Sequence, residues 1–423
     1  MNRRDFLGIA AASSSLLILE PKGVFGYGAN SAVRLGLLGC GNRGTEVATS
    51  FAKNTTARVV ALADIFPDKL ARAKTHFDEV NAGLGNPAID SKRIYRGYRA
   101  FQQIAACSEL DAIQISTPPF FHVEHLDAVV SAGKHAYCEK PIGVDIAQTN
   151  RSLEIAKRVD GKVSIDVGFQ IRSAPPFVEI VRRIHAGAIG NIVSIAAHYD
   201  APEAVSYPVT PGMSADERRL RNWLWDRTLS GDILIEQNIH VIDVCNWIMG
   251  TSPTSAVGKC SRKVVQNLGN TSDNYQVIFT YPGNVELSFS STQFGTNGFF
   301  DVSERIFGST GIVDAPYSGP MGISGQNPWM FVDDAPAQGT PGKFAANGAF
   351  TDNLRLADTM KERSFIESIE AGRFHNQISD GVASARSCML GRKAAETGQQ
   401  ITLDRLLQDK IVYSLDMDIS QFQ

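Results

Sequence analysis

Residues Val33 to Asp64 read VRLGLLGCGNRGTEVATSFAKNTTARVVALAD, and their order decides the fold. A short apolar strand leads into a glycine-rich turn, a helix-like stretch and a second apolar strand that ends in an acid. The glycines of the turn are Gly39, Gly41 and Gly44. The first two let the backbone turn tightly and approach a pyrophosphate, and the third lets the helix pack on the strand. The pattern predicts a βαβ unit that binds a dinucleotide at the helix amino terminus. Its alternative is an ordinary glycine-rich turn.

The acid at the end of the second strand bears on the choice of dinucleotide. Asp64 lies about twenty residues past the glycines, where a carboxylate accepts the ribose hydroxyl groups of the adenosine half. Such a carboxylate repels a 2′-phosphate, so NAD is favoured over NADP. Asn42 and Arg43 lie within the loop and are expected to contact the cofactor. Because Arg43 could reach the adenosine end, NADP stays open as an alternative.

The first thirty residues have the features of a targeting segment. The paired arginines of Asn2 to Leu7 are followed by an apolar stretch, Gly8 to Leu19, which is too short to span a bilayer. The pattern resembles a twin-arginine export signal and departs from it at the flanking Asn2 and Gly8. We therefore expect residues 1–30 to be a signal segment and the folded protein to be exported to the periplasm. The alternative is a basic, apolar amino terminus that stays attached. No later segment has the length of a membrane span.

Composition narrows the class of protein further. The chain has 423 residues, which is too long for one core, so two domains are expected. A net charge of -3 without a block of Lys and Arg argues against nucleic-acid binding. The six cysteines lack CxxC spacing, so we expect no zinc or other metal site and mostly free, buried thiols.

The alternation of strands and helices changes along the chain. Residues 31–144 alternate strand with helix, which predicts an α/β domain with a doubly wound parallel sheet, the Rossmann arrangement that binds NAD. Residues 145–423 are expected to form an α+β domain with a largely antiparallel sheet, including a hairpin over 275–292. The Pro/Gly/Ala-rich stretch 315–349 is predicted to be a surface loop. Two final helices, Lys361–Gly372 and Asp380–Thr397, are expected to pack back on the first domain.

Ligands of open α/β sheets bind at the carboxyl ends of the strands, so two strand ends supply candidate residues. Ser116-Thr117-Pro118 would line the nicotinamide half of the cofactor. His122, just after it, would contact the nicotinamide ribose or the substrate; its alternative is a solvated histidine at a helix start. The second strand end is Glu139-Lys140-Pro141, where Lys140 could position a hydroxyl group and take part in proton transfer. A lysine on a surface turn is the alternative.

A third cluster lies in the second half of the chain. On a helix, Glu236, His240 and Asp243 would share one face at i, i+4 and i+7. A neutral histidine is a suitable base for removing a hydroxyl proton. The alternatives are a polar helix face and a Glu/His metal pair. Trp223 and Trp225 precede this cluster and could stack on a sugar ring or pack in the core.

In the order of its motifs, the chain resembles the Gfo/Idh/MocA oxidoreductases. The motifs are Gly39 to Gly44, Asp64, Ser116-Thr117-Pro118, Glu139-Lys140-Pro141 and the later acid-x-x-x-His segment from Glu236 to His240. The resemblance implies an amino-terminal Rossmann domain, a carboxyl-terminal domain built on an open mixed or antiparallel sheet, and catalytic roles for Lys140 and His240. The family usually has Asp where this chain has Glu236.

This resemblance implies a dehydrogenase acting on a sugar, a glycoside or a cyclic polyol. His240 would remove the proton of a secondary hydroxyl group while Lys140 bonds to the same oxygen and hydride passes to NAD. Glu236 and Asp243 would hold His240 or neighbouring hydroxyl groups. One alternative is a glycosidase that recycles NAD, as in relatives with twin-arginine leaders, although these lack a plain Glu-Lys-Pro. Another is a non-catalytic NAD-binding protein.

Two further expectations concern assembly and retention of the cofactor. The carboxyl-terminal sheet is expected to form a homo-oligomer. Because the periplasm has no standing supply of NAD and the twin-arginine route exports folded proteins, the cofactor is expected to be loaded in the cytoplasm and to stay tightly bound.

Overall fold

A computed structural model describes residues 32–203, 206–266, 269–295, 299–332 and 352–423. The expected signal segment at residues 1–30 lies outside the described residues. The strands are β1 (Arg34–Leu38), β2 (Arg58–Asp64), β3 (Ile94–Arg96), β4 (Ala112–Ile115), β5 (His135–Cys138), β6 (Ile165–Val167), β7 (Ile192–Pro202), β8 (Ser255–Ser261), β9 (Asn274–Tyr281), β10 (Val285–Gly295), β11 (Asp301–Gly308), β12 (Gly311–Pro316), β13 (Gly322–Gly325), β14 (Trp329–Met330) and β15 (Ile401–Thr402). The α-helices are α1 (Asn42–Asn54), α2 (Pro67–Gly83), α3 (Ala100–Ala105), α4 (His122–Ser131), α5 (Ile146–Val159), α6 (Pro175–His185), α7 (Ala215–Arg221), α8 (Arg227–Ser230), α9 (Ile233–Glu236), α10 (Ile239–Met249), α11 (Ala357–Glu370), α12 (Ile378–Thr397) and α13 (Leu403–Leu407).

Six strands form a parallel sheet in the order β3-β2-β1-β4-β5-β6. The central strands are buried on both faces, as their near-continuous apolar sequences require. The predicted doubly wound sheet is therefore confirmed. Its sixth strand, Ile165–Val167, lies past the expected domain boundary at residue 144, and α5 is the crossover to it. A strand of three residues is too short to show a periodic pattern in the sequence.

Nine strands form a second, mixed sheet in the order β14-β13-β12-β11-β7-β10-β9-β8-β15. Its neighbouring strands are antiparallel except for β7 and β10, which run parallel. In the predicted hairpin, Tyr281 lies opposite Val285, and Leu287 and Phe289 are buried while Ser288 is exposed. The expectation of a largely antiparallel sheet is confirmed.

The stretch expected to be a loop over 315–349 is in part an extension of this sheet. Strand β12 continues to Pro316, β13 pairs with β12, and β14 pairs with β13. Strands of two and four residues are too short to give an alternating pattern in the sequence, so composition alone favoured a loop. Residues 333–351 lie outside the described residues.

The last two long helices contact the parallel sheet. The Lys361 Nζ atom on α11 donates to Asp166 Oδ2 on β6 at 3.0 Å, and both residues are buried. Glu362 accepts a hydrogen bond from Ser50 on α1. Helix α11 is thus bound to both β6 and α1.

The remaining expectations on composition can be compared with the structure directly. All six cysteines are free, and four of them, Cys40, Cys138, Cys245 and Cys388, are buried. A search of the described helices finds none with the length and apolar character needed to cross a bilayer.

Candidate active site and cofactor site

A cavity of about 540 Å³ lies at the carboxyl ends of the parallel strands. Its size falls in the range of small-molecule and cofactor sites. Its wall includes residues that follow β1, β2, β4, β5 and β6, together with residues from 206–240 and Ile419. The position agrees with the strand-end rule used on the sequence.

The glycine loop has the shape that a pyrophosphate requires. Gly39 has a φ of +97°, a conformation that side chains rarely adopt. A Cβ atom on Gly44 would lie 2.1 Å from the carbonyl oxygen of Gly39, so this glycine allows α1 to pack against the turn. A Cβ atom on Gly41 would meet nothing within 4 Å, and Gly41 lines the cavity. The loop therefore leaves open space in front of its backbone at the amino end of α1, where phosphate binds.

Asp64 is held at the end of β2 with its carboxylate oriented. One oxygen accepts the N–H of Cys40 at 2.7 Å and the other accepts the N–H of Phe66 at 2.8 Å. Burial raises the pKa of the Asp64 carboxyl group, and the charge of Lys69 opposes that rise. Each oxygen keeps a lone pair for a ribose hydroxyl group, and Asp64 lines the cavity.

The two polar residues of the loop differ from expectation in their partners. The Arg43 guanidinium binds both oxygens of Asp358 at 2.7 and 2.8 Å and Glu139 Oε1 at 2.9 Å. It is therefore engaged by two carboxylates, and it also lines the cavity. Asn42 Oδ1 accepts from Arg72 at 3.3 Å.

Two cations missed by sequence reasoning border the adenosine side instead. Lys69 and Arg72 lie on α2 and line the cavity. Both follow Ile65 to Pro67, on the first turns of the helix after Asp64. The helical spacing of Lys69 and Arg72, three residues apart, was the available signal.

The end of β4 lines the cavity through Ser116, Thr117 and Pro118. Ser116 Oγ accepts from Gln114, and Thr117 Oγ1 lies 2.9 Å from His125 Nδ1. His122 has its Nε2 2.7 Å from the Thr117 carbonyl oxygen and its Nδ1 2.8 Å from the Pro141 carbonyl oxygen. It is 1% exposed. His122 is thus buried rather than solvated, and its ring lies between the loops after β4 and β5 in the wall of the cavity.

Lys140 and Glu236 form an ion pair in the wall of the cavity. The Lys140 Nζ atom donates to Glu236 Oε1 at 2.8 Å and to the Glu236 carbonyl oxygen. Both side chains are 11% exposed. An ammonium group has three N–H donors, so this arrangement leaves one for a ligand in the cavity. The peptide bond between Lys140 and Pro141 is cis.

His240 lies in the same wall, on the first turn of α10. Its Nδ1 atom is buried and has no hydrogen-bond partner among the described residues. Burial lowers the pKa of His240 well below its usual value, and the charges of Lys140 and Arg43 lower it further. The imidazole is therefore neutral at physiological pH and able to accept a proton.

The predicted helix through Glu236, His240 and Asp243 is interrupted. Helix α9 ends at Glu236, and α10 begins at Ile239. Glu236 and His240 both border the cavity, whereas Asp243 is buried and pairs with Arg172 at 2.8 and 2.9 Å. The structure therefore brings Glu236 and His240 together in the cavity wall and leaves Asp243 outside it.

The two tryptophans differ in exposure. Trp225 is 1% exposed, so it is a core residue without an open ring face for a sugar. Trp223 is half-buried, lines the cavity and packs near Phe66 and Phe121. Of the two, Trp223 alone retains accessible surface that a ligand could contact.

Sequence reasoning missed three polar residues near Lys140 and His240. Gln170 and Tyr199 are buried and line the cavity, as does the half-buried Gln237. The side-chain oxygens of Gln170 and Gln237 have no hydrogen-bond partner among the described residues. Gln170 follows β6, so the strand-end rule would have found it if β6 had been recognised.

These features fit a dinucleotide that lies along the strand ends. The open backbone at Gly41 suits the pyrophosphate, Asp64 suits the adenosine ribose, and the unpartnered polar atoms near His240 suit a second ligand beside the nicotinamide. In the part of the chain that the structure describes, no cluster of three or more His, Cys, Asp and Glu side chains is arranged to hold a metal ion.

Comparisons with known proteins agree with this geometry. Residues 33–167 match the family described as an oxidoreductase family with an NAD-binding Rossmann fold, and residues 177–314 match the GFO/IDH/MocA C-terminal domain. An inositol 2-dehydrogenase of Rhizobium meliloti is 28% identical over 293 residues, covering 69% of this chain and 78% of that protein. A myo-inositol 2-dehydrogenase of Thermotoga maritima is 25% identical over 295 residues, covering 67% of this chain and 75% of that protein.

A solved structure has a similar fold. The complex of a levoglucosan dehydrogenase with NADH and levoglucosan has a TM-score of 0.68 at 18% identity. The match covers 88% of this chain and 99% of that one. At this identity the likeness shows a common fold.

Proposed function

This chain belongs to the GFO/IDH/MocA family of NAD-binding oxidoreductases, and from that premise we propose that it interconverts a secondary hydroxyl group and a ketone on a polyhydroxylated ring. The substrate class is a sugar, a glycoside or a cyclic polyol. The observation that carries the proposal is the meeting of Lys140, Glu236 and His240 in the wall of one cavity with the glycine loop. The names of two relatives refer to inositol, and a structural neighbour holds levoglucosan, which are both hydroxylated rings.

Lys140 is suited to hold the reacting oxygen. Glu236 fixes its ammonium group through two hydrogen bonds, and the remaining N–H can be donated to a hydroxyl or ketone oxygen. A positive charge at that point stabilises the negative charge that develops on the oxygen when its proton leaves. Glu236 is thus the residue that positions Lys140, and the carboxylate keeps lone pairs for a neighbouring hydroxyl group.

His240 is suited to act as the base. Its neutral form accepts the hydroxyl proton at a ring nitrogen during oxidation and returns it during reduction. Burial and the two nearby cations keep that neutral form present below the usual histidine pKa. When bound, NAD supplies the hydride acceptor. The glycine loop, Asp64 and the end of β4 hold that cofactor in place.

The test compares His240→Ala with His76→Ala, a substitution on α2 away from the cavity. Purified protein with NAD is given a panel that includes myo-inositol and levoglucosan, and NADH formation is followed by absorbance. We expect His240→Ala to lose turnover and to retain NAD binding by calorimetry, while His76→Ala keeps both. Turnover by His240→Ala would remove this residue from the mechanism. Release of nitrophenol from nitrophenyl glycosides without added NAD would favour the NAD-recycling glycosidase.

We also propose that NAD is retained through export to the periplasm. The paired arginines and apolar stretch of residues 1–19 support export of a folded protein. A cofactor that must survive export would leave its site slowly. The test is dilution of the purified protein: NAD that stays bound supports retention, and rapid release contradicts it. A fusion of residues 1–30 to a reporter, assayed with and without the twin-arginine machinery, tests the route.

We propose that the outer face of the nine-stranded sheet joins two copies of the chain. Val257, Ile278, Ser288 and Ala196 form a row across four neighbouring strands, and all four are exposed. Small and apolar side chains on an uncovered sheet face favour contact with a similar flat face. Sedimentation of the wild type and of Ile278→Asp tests this: we expect a dimer that Ile278→Asp weakens, and a monomeric wild type would contradict it.

A further inference from the structure

Residues 413–418 form a segment without helix or strand that has two different faces, and a short 3-10 turn follows at Ile419–Gln421. Tyr413, Leu415, Met417 and Ile419 are half-buried, whereas Ser414, Asp416 and Asp418 between them are exposed. Alternation with a period of two is typical of a ribbon that lays one apolar face on a surface. Leu415, Met417 and Ile419 pack on the cluster of Phe66, Phe121, Leu220 and Leu229. The segment therefore contacts both the parallel-sheet part and the residues around α7.

One set of contacts fastens this segment to the second half of the chain. Arg219 on α7 donates to the Leu415 carbonyl oxygen at 3.1 Å. Gln421 donates to Asp216, at the start of the same helix, at 2.8 Å. The segment thus lies along α7 and is held to it by polar contacts.

A second set fastens the segment to the nucleotide-binding part. The ring of Phe422 meets the ring of Phe66 edge-on, with centroids 5.8 Å apart. The Phe422 carbonyl oxygen accepts the N–H of Tyr98 at 2.9 Å. Gly97 lets the two backbones approach, since a Cβ atom there would lie 3.0 Å from the Phe422 carbonyl oxygen. Phe66 lies two residues past Asp64, so this contact is at the adenosine end of the cavity.

Arg221 makes the corresponding connection from α7. Its guanidinium lies 3.9 Å from the centroid of the Phe66 ring and 4.6 Å from that of Tyr207. It binds both carboxylate oxygens of Asp68, at 2.8 and 3.1 Å, and Glu217 at 2.8 Å. Its side chain is 7% exposed. A planar cation stacked between two rings and paired with two carboxylates is a rigid connection.

We propose that residues 206–225 and 413–423 form a clasp over the adenosine half of the cofactor and set the rate at which NAD leaves. Residues of both segments line the cavity, among them Tyr207, Arg221 and Ile419. The clasp lines the cavity there together with Phe66, and Phe422 packs on Phe66. On this proposal the adenosine half leaves when Phe422 and Arg221 separate from Phe66. The inference rests on the proposed retention of NAD, and it assigns that retention to residues outside the glycine loop.

The experiment measures dissociation of NADH from the intact chain. Trp223 and Trp225 border the cavity, so energy transfer from tryptophan to bound NADH reports occupancy. The loaded protein is mixed with excess NAD and the decay is timed for the wild type, Phe422→Ala, Phe422→Leu and Arg221→Gln. Val412→Ala is the matched control, because Val412 is 64% exposed and directly precedes the segment.

We expect the dissociation rate to rise roughly tenfold for Phe422→Ala, the factor that a loss of about 1.4 kcal/mol gives. Phe422→Leu should have a dissociation rate between those of Phe422→Ala and the wild type. Arg221→Gln should dissociate faster than the wild type, and Val412→Ala should dissociate at the wild-type rate. Hydrogen exchange should show that NADH protects the backbone of residues 413–423. Wild-type dissociation rates in folded Phe422→Ala and Arg221→Gln, with unchanged exchange, would overturn the clasp.

The design separates this inference from the proposed function. The variants are compared as ratios to the wild type, so they report on the clasp even if the wild type itself releases NADH quickly and retention fails. No sugar substrate enters the measurement, so the result does not depend on the reaction. Thermal melts of the proteins without NADH show which variants are folded.

Discussion

Replacing Gly41 and Gly44 separately with alanine should affect two different properties. The two glycines lie three residues apart in one loop, but they face different surroundings. Gly44 faces the carbonyl oxygen of Gly39, and Gly41 faces the open cavity. We expect Gly44→Ala to lower stability and Gly41→Ala to lower NAD affinity while leaving stability intact.

The structure gives the size of each effect. The new Cβ atom of Gly44→Ala would lie 2.1 Å from a backbone oxygen, below the 3.0 Å that real Cβ atoms keep, so α1 must move. Such overpacking costs about 1–3 kcal/mol, which lowers the Tm of a domain of 150–250 residues by roughly 2–12 °C. Gly41 has φ −73° and ψ −175°, which alanine adopts freely. Its methyl group would instead crowd the pyrophosphate, and a similar cost would raise the Kd for NAD about 5- to 150-fold.

Thermal melts without cofactor and calorimetric titration with NAD separate the two effects. Gly83→Ala is the control, because Gly83 has open space around it at the end of α2, away from the cavity. Gly83→Ala should change neither the Tm nor the Kd for NAD by a comparable amount. If Gly41→Ala binds NAD as tightly as the wild type, the backbone at Gly41 does not approach the pyrophosphate. If Gly44→Ala melts at the wild-type temperature, the packing argument is wrong.

Three further predictions concern His240, Lys140 and the buried Asp243. Burial and the charges of Lys140 and Arg43 hold the pKa of His240 well below 6.5, so its neutral form persists as the pH falls to that value and is lost only below it. The oxidation rate should therefore stay constant down to pH 6.5. A loss of rate that begins above that pH would contradict a neutral His240 base. Removing the charge in Lys140→Met should raise the His240 pKa, so the acid limb of the residual activity should move to higher pH. Asp243→Asn should lower the free energy of unfolding in urea by about 1.5–3 kcal/mol, because it weakens the pair with Arg172, and it should leave the KM for substrate unchanged. A raised KM at unchanged stability would indicate that Asp243 contacts the substrate.

The cofactor site was predictable because its determinants are local in sequence. Strand, turn, helix and acid follow one another between Val33 and Asp64, and each has a physical requirement that a residue type expresses directly. Glu139-Lys140 was predictable for a related reason, since strand ends of a parallel sheet meet at one edge.

The features of the site that the sequence did not predict depend on residues far apart in the chain or on very short helices and strands. Arg43 meets Asp358, more than three hundred residues away, so no local pattern could place its charge. The break between α9 and α10 falls at Gln237 and Asn238, which are compatible with a continuous helix by propensity. Packing placed the break, and with it the direction of Asp243.

The segment at 413–423 was overlooked although its pattern is local. Apolar residues alternate with serine and aspartate from Tyr413 to Ser420, which is the signature of a half-buried extended chain. The pattern predicts a face that is covered but does not say what covers it. The surface beneath it, Phe66 and Leu220, comes from two separate parts of the chain.

The place of residues 413–423 in the order of synthesis has a consequence for assembly. A ribosome makes these residues after all the others that line the cavity, although they lie against Phe66 near the beginning of the folded chain. A nascent chain that already has its parallel sheet and glycine loop therefore still has an open adenosine end. On the proposed clasp, a dinucleotide bound at that stage can exchange, whereas one bound once residues 413–423 have packed on Phe66 leaves slowly. The clasp would then divide assembly into a stage of free exchange and a later stage of slow exchange.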